Sequence, residues 1–242
     1  MVYRVICFPS ALRAELEDIR SKVSLPESEG SCDTIEQGIA QLTECFNIGG
    51  CKFPAIMLPY IRSISKPLNL AMSSERSKLS CSTIDLITAL SAGLGSSFKP
   101  LISLFIPTLL VLCTRSKTVF TRPANRCLFA LIHNTPVQSL LPYLGELDKS
   151  ASTRLVAAEG ILACLNSTSH KPPIIENNTR AHLLEDVIKL TTCDPNVDVR
   201  RAGREIFEAY KTLFPKRVAR FVTAVSTYET MSHMDHSGSS HH

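Results

Sequence analysis

Three polar hexamers that end in arginine constrain this chain more than any other feature: KTVFTR (117–122), KSASTR (149–154) and PNVDVR (195–200). Each opens a stretch whose apolar residues recur at helical spacing. An earlier hexamer, ERSKLS (75–80), holds the same place but ends in serine. Start-to-start spacings are 42, 32 and 46 residues, a loose period. The last launch, CDPNVDVRRAGREIFEAYKTLFP (193–215), carries its own punctuation. Asp194 is expected to cap the first amides, Pro195 to take the first helical position, and Pro215 to mark the stop. Val199, Ala202, Ile206, Ala209 or Tyr210, and Leu213 supply its apolar face.

Helical periodicity extends along the chain, over roughly 11–23, 33–46, 54–71, 77–94, 99–114, 122–133, 136–146, 151–166, 180–191, 196–213 and 216–228. Strand signals are sparse, and short polar or proline-bearing joints separate the segments. The expected fold is all-α: a HEAT-repeat solenoid of about five to six helix pairs. One helix pair cannot bury its apolar face alone, so neighbours must stack on it. An acid–arginine contact between adjacent turns would set their register. Arg122, Arg154, Asp194, Arg200 and Arg204 are the candidate ladder residues.

The totals narrow the partners. Apolar residues make up 44% and charged residues 20%, a globular composition. A net charge of +4 is compatible with an acidic protein partner and too weak to argue for nucleic acid. The absence of tryptophan removes one stacking platform for single strands. Nine cysteines, with no C-x-x-C pair, lie mostly within apolar helical patterns and read as reduced core residues. No metal site, no cofactor and no membrane span is expected; the apolar run 101–113 is too short and holds Pro107. No phosphate loop, nucleophile elbow or H-E-x-x-H motif is present, so the chain does not read as an enzyme. The histidine-rich end, 229–242, reads as a disordered tail, and 1–10 as a lead-in to a domain over 11–228.

Stacked helix–turn–helix units bring their intra-pair turns to one edge. That edge would carry Arg76 and Lys78, then Arg115 and Lys117, then Lys149, then Asp194 and Asn196. Mostly basic turns in a row make a ridge suited to an acidic protein surface.

Residues 74–110 (SERSKLSCSTIDLITALSAGLGSSFKPLISLFIPTLL) and 115–144 (RSKTVFTRPANRCLFALIHNTPVQSLLPYL) resemble the CLASP-type TOG domain. The resemblance continues through DKSASTRLVAAEGILACL to DPNVDVRRAGREIFEAYKTLFPKRVARFV and covers roughly 11–228. It rests on Leu94-Gly95 before Phe98, on Ile132-His133-Asn134-Thr135 leading into Leu140-Leu141-Pro142, and on Val199-Arg200, Gly203-Arg204 and Phe207. It implies a flat array of about six HEAT repeats whose aligned turns bind αβ-tubulin, in proteins that regulate microtubule dynamics and the mitotic spindle. By position, the implied contacts are Cys32, Arg76, Lys78, Lys117, Lys149 and Asn196. The implied location is cytoplasmic and cytoskeletal, on microtubules, spindle and kinetochore, with other cytoskeletal proteins as further partners.

Two departures bear on that expectation. The family commonly has a tryptophan in the first turn, where Cys32 stands here, so the anchor at that turn is lost. Pro123 falls where the family runs helix, which predicts a helix beginning near Arg122. The alternative reading is a generic HEAT scaffold for another acidic partner. The collection of charge in short turns, and not along concave helix faces, agrees with the tubulin reading that the resemblance implies; the residues alone reach a basic-edged HEAT array for an acidic partner.

Overall fold

A computed structural model describes residues 9–135, 143, 150–168 and 178–223. Residues 1–8 of the lead-in, most of the 136–146 segment, Lys149 and the tail lie outside the described residues, and α1 takes in the lead-in's last two positions. Among the described residues every regular element is helical. The chain divides into two compact units, Met1–Leu144 and Gly145–His242.

The first unit holds α1 (Pro9–Val23), α2 (Cys32–Asn47), α3 (Pro54–Ser63), α4 (Ser65–Ser73), α5 (Ser77–Leu94), α6 (Ile102–Cys113) and α7 (Thr118–Asn134). Helices α1–α2, α4–α5 and α6–α7 are antiparallel pairs joined by short turns. Their second members, α2, α5 and α7, pack side by side in one row, and α4 and α6 pack in the other. Helical spacing explains the burial. Leu12, Leu16, Ile19 and Val23 of α1 face inward, as do Ile35, Ile39, Leu42 and Phe46 of α2. The α2–α5 contact is close: a Cβ on Gly93 would lie 2.5 Å from the Phe46 ring.

Three sequence expectations change here. The 54–71 segment is two helices, not one, broken at Ile64 (φ −106°, ψ 12°). Pro67, near the start of α4, has no N–H for the Ser63 carbonyl, and the Ser65 hydroxyl donates to the Arg62 carbonyl at 2.8 Å. Residues 99–101 belong to a 3-10 stretch, Gly95–Leu101, entered through Gly95 at φ +52°, where glycine is favoured. By composition, Ser77–Cys113 is long and apolar enough to cross a membrane. It is interrupted at Gly95, and α5 and α6 bury their apolar faces in the stack.

The third change concerns α7. It starts at Thr118, not near Arg122, and runs through Pro123. Phe120, 2% exposed, holds its first turn down beneath the Arg115 guanidinium, which lies 4.9 Å from the ring centroid.

The second unit holds α8 (Ala151–Thr168), α9 (Asn178–Thr192), α10 (Val197–Leu213) and a helix over 215–223, α11. α10 packs on both α8 and α9. Its inward residues are Val199, Ala202, Ile206 and Tyr210, so Tyr210 and not Ala209 completes the stripe. A Cβ on Gly203 would meet the Thr191 hydroxyl at 2.5 Å, which sets the α9–α10 distance. The cap differs from expectation. Asn196 closes the helix, its side-chain Oδ1 accepting the Asp198 and Val199 amides at 2.9 and 3.2 Å, and Pro195 lies outside.

Candidate functional site

In the first unit, consecutive turns are tied by charged and polar side chains. The Ser74 hydroxyl donates to the Glu27 carboxylate at 2.6 Å, joining the second turn to the first across 47 residues of chain. Lys78, in the first turn of α5, pairs with Glu36 of α2 at 2.9 Å. Arg115 reaches back from the third turn to the second, meeting Glu75 at 3.1 Å and the Ser73 carbonyl at 2.9 Å. The carboxylates of 27, 36 and 75 therefore share the edge with the basic residues, which makes it mixed in sign and not a plain basic ridge.

The site residues read from the sequence take distinct positions on these turns. Arg76 is the residue before α5; its side chain is exposed and makes no ion pair among the described residues. Lys117 precedes α7 with 69% of its side chain exposed and a loose 3.9 Å contact to Glu75. Exposed pairs of this kind hold weakly, so both cations are available to an incoming carboxylate. Lys78 is exposed but engaged; the hydrogen bond and charge of Glu36 raise its pKa. Cys32 is buried at the start of α2, its Sγ 3.9 Å from Glu27, leaving Gly30 and Asp33 as exposed members of the first turn. Arg122 lies on the exposed face of α7, and the bridge between turns is made by Arg115 instead. Acidic partners were visible as residues in the sequence, but their pairing across forty or so residues was not.

In the second unit, Arg154 of α8 clamps Asp194 with two bonds, Nε to Oδ2 at 2.5 Å and Nη2 to Oδ1 at 3.0 Å. Asp194 also accepts the Asn196 amide at 2.8 Å. Hydrogen bonding from Arg154 outweighs the opposing effect of burial and holds the Asp194 carboxyl below its ordinary value. Arg200 folds back onto its own turn, donating to the Asp194 and Pro195 carbonyls at 2.7 and 2.9 Å. Arg204 points outward from α10. Asn196 is committed to its cap, and Lys149 lies outside the described residues. Among the described residues no three His, Cys, Asp or Glu side chains are grouped to hold a metal ion.

This geometry offers recognition: hydrogen-bonded turns that present cations from helix starts. The arrangement matches known proteins. The CLASP N-terminal family profile covers residues 21–230. Protein stu-1 of Neurospora crassa is 22% identical over 168 residues, 68% of this chain and 15% of that protein. Protein peg1 of Schizosaccharomyces pombe is 24% identical over 193 residues, 78% of this chain and 13% of that protein. The chain thus spans a small part of the length of the relatives it matches. Among solved structures, the MAST/Orbit N-terminal domain superposes with a TM-score of 0.54 at 15% identity, covering 88% of this chain and 93% of the other. A TOG domain of Crescerin, which uses a TOG domain array to regulate microtubules in the primary cilium, gives 0.58 at 17% identity, covering 93% and 84%. Both likenesses are of fold, that of a TOG-type HEAT solenoid. With the profile spanning both units, the chain belongs to the CLASP N-terminal family.

Proposed function

We propose that this chain is a tubulin-binding domain of a microtubule-regulating protein, acting by binding and orienting αβ-tubulin. The observation that carries the reading is the pair Arg76 and Lys117, exposed cations at adjacent turn ends in a chain of the CLASP family. Each supplies a charge-assisted hydrogen bond to a carboxylate on the tubulin surface. Lys78 adds charge beside them, and in the second unit Lys149 supplies a contact while Asn196, its side-chain oxygen taken by the cap, offers only its amide N–H groups. Cys32 marks a first turn without an aromatic anchor, so affinity rests on the later turns. The location that follows is the cytoplasmic microtubule array, the spindle and its kinetochore attachments.

Size-exclusion chromatography of the chain with unpolymerised αβ-tubulin, at low and moderate salt, tests this. A salt-sensitive complex is expected, lost in Arg76→Glu/Lys117→Glu. Absence of any complex at tens of micromolar protein, even at low salt, would sink the reading. The burial of Cys32 supports one alternative, a scaffold for a different acidic protein, which that outcome would favour.

A further inference from the structure

The outer face of α7 is built unlike those of α1 and α10. Val119, Arg122, Arg126, Phe129 and His133 recur at helical spacing and all are exposed. Their opposite face, Phe120, Ala124, Cys127, Leu128 and Leu131, is buried, so the core of the unit is complete without Phe129. Phe129 nevertheless stands 46% exposed and Val119 47% exposed, with the two arginines between them. From Val119 to His133 the stripe runs about 21 Å at 1.5 Å per residue.

The charge is one-sided. No aspartate or glutamate occurs between Asp85 and Glu146, a stretch that holds Lys99, Arg115, Lys117, Arg122 and Arg126. A solvated helix face ordinarily intersperses both signs at three- and four-residue spacing. Helix α1 does so with Glu17–Arg20 and Asp18–Lys22, and α10 with Asp198–Arg201 and Glu208–Lys211. Among the described residues the acid paired with α7 is Asp85 of α5, 3.9 Å from Arg126, with both side chains mostly exposed. In the same helix row, α2 turns Asp33, Gln37 and Glu44 to solvent. The row therefore grades from acidic at α2 to basic and apolar at α7, a polarity that draws an acidic ligand to one end.

We infer that this face of α7 is a docking surface, separate from the turn edge, for an acidic segment of a protein partner that carries a large apolar residue. The segment's carboxylates pair with Arg122 and Arg126 in bidentate fashion, and its apolar side chain covers Phe129. Arginine and an aromatic residue side by side are the residue types that dominate binding energy at protein interfaces. The inference does not depend on tubulin binding.

The test is fluorescence anisotropy of the full chain with a fluorescein-labelled glutamate-rich peptide holding one central leucine. Beside it run the same peptide with lysines for glutamates and a single-stranded oligonucleotide of equal charge. The acidic peptide is expected to bind. Arg122→Glu/Arg126→Glu should weaken it at least about tenfold, and Phe129→Ser at least about fivefold. Both sites are exposed, so circular dichroism melts should stay near wild type. Arg76→Glu/Lys117→Glu, which tests the turn edge, should leave peptide binding unchanged. Equal loss in that variant, no loss in the α7 variants, no binding of the acidic peptide, or preference for the basic peptide or the oligonucleotide would overturn the assignment.

Discussion

Cys81 of α5 donates its thiol to the Val119 carbonyl of α7 at 3.6 Å. That carbonyl is the one Pro123 leaves without a helical donor, since proline four residues on has no N–H. A neighbouring helix thus supplies the missing partner, and α7 runs through its proline. Two opposite outcomes follow. Cys81→Ala should cost about 1 kcal/mol, the worth of a modest hydrogen bond. Pro123→Ala should stabilise by about 2 kcal/mol: about 3 for the interior-helix penalty, less about 1 for the chain entropy that proline removes. Urea unfolding of both variants checks the pair, and a destabilised Pro123→Ala would contradict the account.

At Gly93, α5 lies close against Phe46 of α2. An added methyl would meet the Phe46 ring edge at 2.5 Å, and Phe46 is 1% exposed with little room to turn. Gly93→Ala should therefore destabilise by about 1–3 kcal/mol despite its gain in helix propensity. Phe46→Leu in the same chain should recover part of the loss. Thermal melts of the single and double variants decide it, with simple additivity counting against the clash.

The Asn196 cap gives a smaller and cleaner effect. Its side chain satisfies two amides that α10 otherwise leaves free. Asn196→Ala should cost about 1 kcal/mol, and Asn196→Asp should restore it by keeping the acceptor. A neutral Asn196→Ala would mean that solvent replaces the cap.

The second unit should respond to pH at both ends. Arg154 keeps the Asp194 carboxyl below 3.8. Burial pushes Glu185 up, but hydrogen bonds from Tyr210 and Arg217, with the charges of Arg217 and His182, hold it below 4.5. Depressed values in the folded state mean stability that is present above these ordinary values and lost as pH falls through the folded ones. Tyr210 behaves oppositely. Burial, then its 2.6 Å hydrogen bond to Glu185, pushes the phenol up from 10.0 to about 12. That stabilisation is complete below pH 10 and lost as pH climbs through about 12. Melting temperatures should stay level between about pH 5 and 9 and fall on either side. Asp194→Asn/Glu185→Gln should flatten the acid limb; an unchanged slope would assign it to other carboxylates.

The helices were legible because their signals are local. α5 occupies the same 77–94 window that apolar spacing marks out, and α10 begins within a residue of its expected start. Punctuation by proline misled where a distant group compensates: Pro123 reads as a helix start until Cys81 is brought beside Val119. The edge was legible in outline, since basic residues do collect in the turns. Its mixed sign was not: Glu36 lies inside a helical stretch, and Glu75, though it opens the ERSKLS hexamer, meets Arg115 only across forty residues of chain.

An all-helical, stacked fold and the approximate windows of most helices follow from the residues alone, for helical period is encoded within a few neighbouring positions. Tertiary structure alone decided which groups meet. Ser74 finds Glu27, Lys78 finds Glu36, Arg115 finds Glu75 and Arg154 finds Asp194. It also decided that Cys32 is inside and Phe129 outside. These outcomes depend on how far apart adjacent helices settle and how each is rotated about its axis. Contacts such as Gly93 against Phe46 and Gly203 against Thr191 set those quantities between residues remote in sequence.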